Sequence, residues 1–311
     1  MTMNSYMPEG RQIYTTENRR WLSTPLTLTE AKSKGVILEA TALMCDAEHN
    51  LIVDLNCMKG IIKREEGAVG IKEGRVRDIA LISRVGKPVC FTVEQIKTDP
   101  SGKFYAELSR KHAQEKCIKE HLSLKKAGTV IDAKITHLES FGAFCDVGCG
   151  IISLLPIDAI SVSRISHPRD RFSVGEDIKA VIKTIDAENR ITLSHKELLG
   201  TWEENAAAFC EGQTVTGIVR SVENYGIFVE LSPNLAGLAE PKTGVQAGMR
   251  ASVYIKSIIP EKMKVKLIII DTFEGDEITP LKYYFNGDEI DYWRYSPEDS
   301  QKSIYTDFLN Q

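Results

Sequence analysis

The sequence predicts an all-β chain of three tandem five-stranded barrels, joined by short helical linkers and followed by a small aromatic-rich tail. Three observations carry this. Short stretches alternate at a period of two, as in Val130, Asp132 and Lys134 against Ile131, Ala133 and Ile135. Turn residues interrupt these stretches after a few positions, as in Asp186-Ala187-Glu188-Asn189. Short motifs also recur: Gly60-Ile61-Ile62 returns as Gly150-Ile151-Ile152 at an offset of 90, and Leu108-Ser109 as Leu193-Ser194 at 85.

Residues 1–33 read as a polar, irregular arm with one short helical turn capped at Thr27 or Thr29. Its Arg19-Arg20-Trp21 is either a small RNA contact or, more simply, one indole packed on the first domain. Residues 34–110 form the first barrel, a degenerate copy. Residues 111–127 are rich in Lys, Glu and Ala and form a helical linker, with Ala113, Cys117 and Leu124 along one side. Residues 128–196 are the best-formed copy. Gly142 within its second strand marks a bend or bulge that brings Phe141 and Phe144 to one surface. The loop of this copy holds Arg164, His167, Arg169 and Arg171, either as phosphate contacts or as an ordinary solvated loop. Residues 197–211 carry a second linker helix, with a capping box at Thr201 and Glu204 and Trp202 as a packing anchor. Residues 212–270 are the third copy. Residues 271–311 hold nine of the 23 aromatic residues, too many for a disordered segment, and Asn286-Gly287 predicts a hairpin there. A sharper alternative has this tail covering a basic groove as a nucleic-acid mimic. Strands this short, with a polar connection between the third and fourth, suit a Greek-key barrel of the oligonucleotide-binding type.

The 311 residues are enough for two or three domains, and a hydrophobic fraction of 42% allows globular cores. The net charge of −4 is unevenly spread: residues 271–311 carry ten acids and three bases, leaving the remainder mildly basic. Seven cysteines without a CxxC pair read as reduced thiols in a cytoplasmic protein. No apolar run reaches membrane length, no signal peptide is visible, and Lys266-Leu267-Ile268-Ile269-Ile270 reads as a buried strand. Catalysis has no support: glycine-rich phosphate loops and nucleophile motifs are missing, and no cofactor is implied. His112, Cys117 and His121 lack a fourth partner, so no metal is expected.

Residues 130–196 resemble a known family. The order Phe141-Gly142-Ala143-Phe144, Asp146-Val147-Gly148, Gly150-Ile151-Ile152 and Asp186 through Ser194 is similar to the S-one RNA-binding domain, the repeat of the large ribosomal protein S-one. The resemblance implies a five-stranded oligonucleotide-binding barrel. In that family two aromatics, a histidine, an aspartate and an arginine bind single-stranded RNA. Carried over, these are Phe141, Phe144, Ser153 in place of the histidine, Asp186 and Arg190. In the third copy the ring positions are Tyr225 and Phe228, Glu240 takes the histidine position, Pro260 the aspartate position and Lys264 the arginine position. In the first copy His49 and Ile52 stand where the rings would be, Lys63 replaces the histidine and Tyr105 the arginine, which suggests docking instead. The implied function is non-catalytic binding of single-stranded RNA, such as mRNA, in translation. The expected partners are the small ribosomal subunit or RNA-processing proteins, with no membrane. The alternative is a protein-interaction scaffold or RNA-turnover accessory factor whose barrels no longer bind RNA tightly.

Overall fold

A computed structural model describes residues 6–275 and 281–310. The first five residues of the arm, residues 276–280 of the tail and Gln311 lie outside the described residues. The arm forms α1 (Thr16–Trp21) and α2 (Pro25–Lys34). The first barrel contains β1 (Leu38–Cys45), β2 (Leu51–Asp54), β3 (Lys59–Ile62), a short α3 (Ile79–Ile82), β4 (Pro88–Thr98) and β5 (Phe104–Ser109), followed by α4 (Arg110–Glu120). The second contains β6 (Val130–Glu139), β7 (Gly142–Asp146), β8 (Ile152–Pro156), β9 (Asp177–Ile185) and β10 (Ile191–Ser194). After α5 (Trp202–Ala206) the third contains β11 (Thr214–Glu223), β12 (Gly226–Ser232), β13 (Leu235–Ala239), β14 (Arg250–Ile259) and β15 (Lys264–Phe273). All three barrels are closed and share one cyclic strand order, first-second-third-fifth-fourth.

In each barrel the third and fifth strands run parallel, and this contact sets a common register. Ile61 pairs with Glu107, Leu154 with Thr192, and Leu238 with Lys266. Gly60, Ser153 and Gly237 are therefore equivalent positions. A Cβ at Gly60 or Gly237 would lie 2.5 Å from the inward leucine of the fifth strand, Leu108 or Leu267. Gly150 is a different kind of glycine. It belongs to the turn after β7, where Asp146 Oδ1 accepts the N–H groups of Gly148 and Gly150. A Cβ there would sit 1.8 Å from the guanidinium of Arg110. The echo of Gly60 by Gly150 is thus misregistered by three residues, and the true counterpart of Gly60 is Ser153.

Contacts divide the chain into two compact units: Met1–Lys125 with Asp132–Lys134 and Asp146–Ile152, and Lys126–Ile131 with Ile135–Cys145 and Ser153–Gln311. In the first unit the arm is more ordered than the sequence suggests. The cap of α2 is Thr24, which shares reciprocal hydrogen bonds with Thr27 ahead of Pro25 in the first turn, so the start lies three residues before Thr27. Trp21 is buried in the core of the first barrel. Asn18 clamps α1 to β1: its Nδ2 donates to the Glu39 carbonyl at 2.7 Å and its Oδ1 accepts the Glu39 N–H at 2.9 Å. The buried Glu9 carboxylate receives Arg110 through two hydrogen bonds of 2.7 and 3.0 Å, with Arg84 at 3.3 Å. Burial alone would raise its pKa, but the two guanidiniums hold it below the usual carboxylate range.

In the second unit Thr201 and Glu204 form the expected capping box, and Trp202 is buried in the apolar core. Arg171 is not a phosphate contact. It is buried and grips Glu230 with two bonds of 2.7 Å, while Arg220 closes on the same carboxylate at 3.0 Å. Breaking such a buried pair costs about 3–5 kcal/mol. β15 alternates instead of being wholly buried, leaving Ile268 and Ile270 exposed. The tail folds, but not as a hairpin at Asn286-Gly287. Its strands are β16 (Tyr292–Arg294) and β17 (Tyr305–Asp307), paired antiparallel. Trp293, Tyr295 and Phe308 enter the core, which explains the aromatic excess.

The tail also docks through His195. This buried imidazole has Nδ1 3.1 Å from the Ile160 carbonyl and Nε2 3.3 Å from the Tyr283 hydroxyl. Nδ1 must donate to the carbonyl, and in the neutral ring Nε2 accepts from the Tyr283 hydroxyl, which itself accepts the Lys179 N–H at 3.2 Å. Burial pushes its pKa down to about 4, against the opposing pull of the Ile160 carbonyl and with the help of Arg171. The unfolded chain therefore takes up this proton first, and stability present above pH 6.5 is lost as pH falls toward 4. Urea unfolding at pH 7.5 and 5.0 should show His195→Gln losing about 2 kcal/mol less than the parent over that interval. Equal losses would mean that the imidazole is not held neutral.

Candidate nucleic-acid interface

The interface is built on the outer surface of the second, third and fifth strands. β7 begins at Gly142 because β8 passes too close for a side chain: a Cβ would lie 2.6 Å from the Leu155 carbonyl oxygen and 3.1 Å from Pro156 Cα. Gly226 at the start of β12 is confined in the same way, 2.7 Å from the Ala239 carbonyl oxygen. The residue before each glycine sits in a turn, where strand alternation no longer applies. Phe141 therefore shares a surface with Phe144. The ring centroids are 6.0 Å apart and edge to face. Phe141 is 54% exposed and Phe144 half-buried. Tyr225 and Phe228 repeat the arrangement at 6.2 Å, with Tyr225 68% exposed.

A third ring, His137 on β6, stacks on Phe144 with centroids 6.3 Å apart, and its Nε2 lies 2.7 Å from Glu139. Nothing in the sequence marked this histidine, because the inward pattern of Ile131, Ala133 and Ile135 ends just before it. An exposed ring seven residues before the second aromatic is the signal that would have found it.

The structure corrects one expected site residue. Ser153 is buried, 4% exposed, on the inward face of β8. The shared register assigns Pro156 to the position that Lys63 and Glu240 occupy in the other barrels.

Asp186 and Arg190 close the turn between β9 and β10. Asp186 Oδ1 accepts the N–H groups of Glu188 and Arg190 at 2.9 Å each, and Oδ2 accepts from Arg190 Nε at 2.7 Å. The N–H of Arg190 and then its guanidinium hold this carboxyl below the usual range. The same turn chemistry recurs at Asp46 and Asp99, which each accept two backbone N–H groups from residues two and four positions on. Asp186 is thus first a turn-former, and its second oxygen orients the exposed guanidinium. Asn189 precedes Arg190 with φ 59°, and Met263 precedes Lys264 with φ 48°, so the two cations are equivalent by turn as well as by register.

In the third barrel the parts converge on a groove of about 450 Å3. Tyr225, Phe228 and Leu238 supply its apolar wall, and Lys256, Lys264, Lys266 and Glu240 its charges. No tail residue lines this groove among the described residues. The first barrel offers no such surface. Ile52, at the position of Phe144 and Phe228, is buried, and Met44, at that of His137, is an exposed aliphatic chain. Its fifth-strand hairpin is two residues longer, so Tyr105 holds the strand position of Arg190 while Asp99 and Lys103 repeat the turn further out.

Comparison with known proteins agrees with this geometry. Residues 124–196 match the S1 RNA binding domain. The small ribosomal subunit protein bS1 of Staphylococcus aureus is 32% identical over 182 residues, covering 53% of this chain and 46% of that protein. The bS1 of Staphylococcus saprophyticus is 32% identical over 189 residues, covering 55% and 48%. The chain thus spans about half the length of the relatives it matches. Among solved structures, a multidomain protein with nucleic acid binding domains from Streptococcus pneumoniae covers 78% of this chain and 76% of its own at 15% identity, with a TM-score of 0.26. GSP13 from Bacillus subtilis covers 22% and 55% at 25% identity, with a TM-score of 0.22. Scores this low do not bear on the fold, which rests on the strand pairing itself. The family match thus falls on the middle of the three closed barrels, residues 124–196.

Proposed function

We propose that the chain binds single-stranded RNA without catalysis, in translation, as its bS1 relatives suggest. The observation that carries this is the exposed, edge-to-face ring pair at Phe141 and Phe144, repeated at Tyr225 and Phe228 above a lysine-lined groove. Exposed rings offer π-faces to unstacked bases, each worth about 1–3 kcal/mol. Arg190, fixed by Asp186, and Lys264 add charge for the backbone, and lysine does so without arginine's planar fork. Glu240 opposes phosphate in the third groove, which favours the middle barrel as the tighter site. The partners in this reading are mRNA and the small ribosomal subunit, with the protein in the cytoplasm.

Titration of fluorescein-labelled oligo(U) against the full chain tests this. Phe141→Ala combined with Phe144→Ala should weaken binding at least about tenfold while leaving thermal unfolding nearly unchanged, since Phe141 is outside the core. Unchanged affinity would remove RNA from the middle barrel. Replacing Lys256, Lys264 and Lys266 together by Gln should flatten the salt dependence of log K by about 2, at about 0.7 per phosphate contact. An unaltered slope would take the third groove out of the interface.

A further inference from the structure

A second kind of concavity lies in the first unit, between the arm and the first two strands of its barrel. We infer that the hollow between α1, the preceding turn and the edge of the first barrel, lined by Tyr14, Arg19, Asp54 and Asn56, binds a guanine nucleotide unit. This does not rest on the RNA reading of the other two barrels.

The hollow has a volume of about 750 Å3, within the range of small-molecule sites. Its walls are held before any ligand arrives. The buried Glu39 carboxylate accepts the N–H groups of Gly10, Gln12 and Ile13 at 2.7, 2.9 and 2.7 Å, fixing the turn that ends at Tyr14. The Asn18 clamp fixes α1, which carries Arg19. A segment anchored this firmly has nevertheless left the Tyr14 ring 76% exposed and Leu43 56% exposed at the same hollow. The Arg19 guanidinium stands 5.7 Å from the Tyr14 centroid, and no carboxylate pairs with it among the described residues. Tyrosine rings and guanidinium planes are the surfaces on which unstacked bases settle.

The polar residues select the base. Asp54 Oδ1 accepts the N–H of Asn56, whose φ of 62° holds the two side chains at one turn. Neither the Asp54 carboxylate has a cation nor the Asn56 amide a partner among the described residues. A carboxylate accepts two parallel donors best, and guanine alone among the common bases presents two adjacent N–H donors on its Watson–Crick edge. The Asn56 amide can donate to the neighbouring O6. A phosphate is repelled at Asp54 and attracted at Arg19, so the ligand lies with its base toward Asp54, its ring along Tyr14 and its phosphate toward Arg19.

The test uses the full chain with Phe141, Phe144, Tyr225 and Phe228 all replaced by Ala, so that the other ring pairs are silent. Calorimetric titration should show 5′-GMP binding about tenfold or more tightly than 5′-AMP. Tyr14→Ala should weaken GMP about tenfold, Asp54→Asn should abolish the GMP-over-AMP preference, and Arg19→Gln should bring GMP down to the level of guanosine. A hexanucleotide with one G that binds more tightly than GMP assigns the site to RNA; equal affinity assigns it to the free nucleotide. The same Tyr14→Ala comparison in the otherwise unaltered chain keeps the test valid if the fourfold variant fails to fold. Absence of GMP binding at millimolar concentration, equal binding of GMP and AMP, or GMP binding unaffected by Tyr14→Ala would overturn the inference. None of these results depends on whether oligo(U) binds the middle barrel.

Discussion

One short contact governs each barrel: the parallel pairing of its third and fifth strands. It closes the sheet and fixes which residues of those strands face outward. Because Leu154 pairs with Thr192 and Leu238 with Lys266, the outward rows of the second and third barrels superimpose residue by residue. The rings of the second strand, the middle row of the third and the cation before the fifth then form one surface. A slip of one residue would turn that row inward and carry the interface with it.

Around this contact the chain uses two kinds of buried charge. Glu9 with Arg110, and Glu230 with Arg171 and Arg220, are carboxylates enclosed by guanidiniums. Such clusters add little net stability over apolar packing, but losing one partner is costly. Aspartates at the turns work differently. Asp46, Asp99, Asp146 and Asp186 each accept two N–H groups from their own turns. At Asp186 the residue that closes the turn, four positions on, is the interface arginine. Local turn chemistry and the interface are therefore one feature.

Much of this was legible in the sequence because the signals were local. Alternation located most strands, the Thr201–Glu204 box located a helix start, and Phe141-Gly142-Ala143-Phe144 marked the ring pair. What failed depended on the partner strand or on distant packing. Gly150 looked like the glycine of Gly60-Ile61-Ile62, yet it is small because Arg110 crosses it, and Ser153 was consequently placed on a surface from which it is buried. Arg171 looked like a loop cation until Glu230, 59 residues away, appeared beside it. Asn286-Gly287 carried a strong turn signal, but the tail pairs Tyr292–Arg294 with Tyr305–Asp307 and buries Trp293, Tyr295 and Phe308. His137 was missed because it lies where the alternation of β6 breaks down.

The most direct measurement is ultraviolet cross-linking of the full chain to oligo(U), with the linked residues identified by mass spectrometry. The account predicts cross-links concentrated at residues 137–144 and 225–228, with Phe141 and Tyr225 foremost. Cross-links confined to the first barrel or the tail, with both ring pairs unmodified, would contradict it.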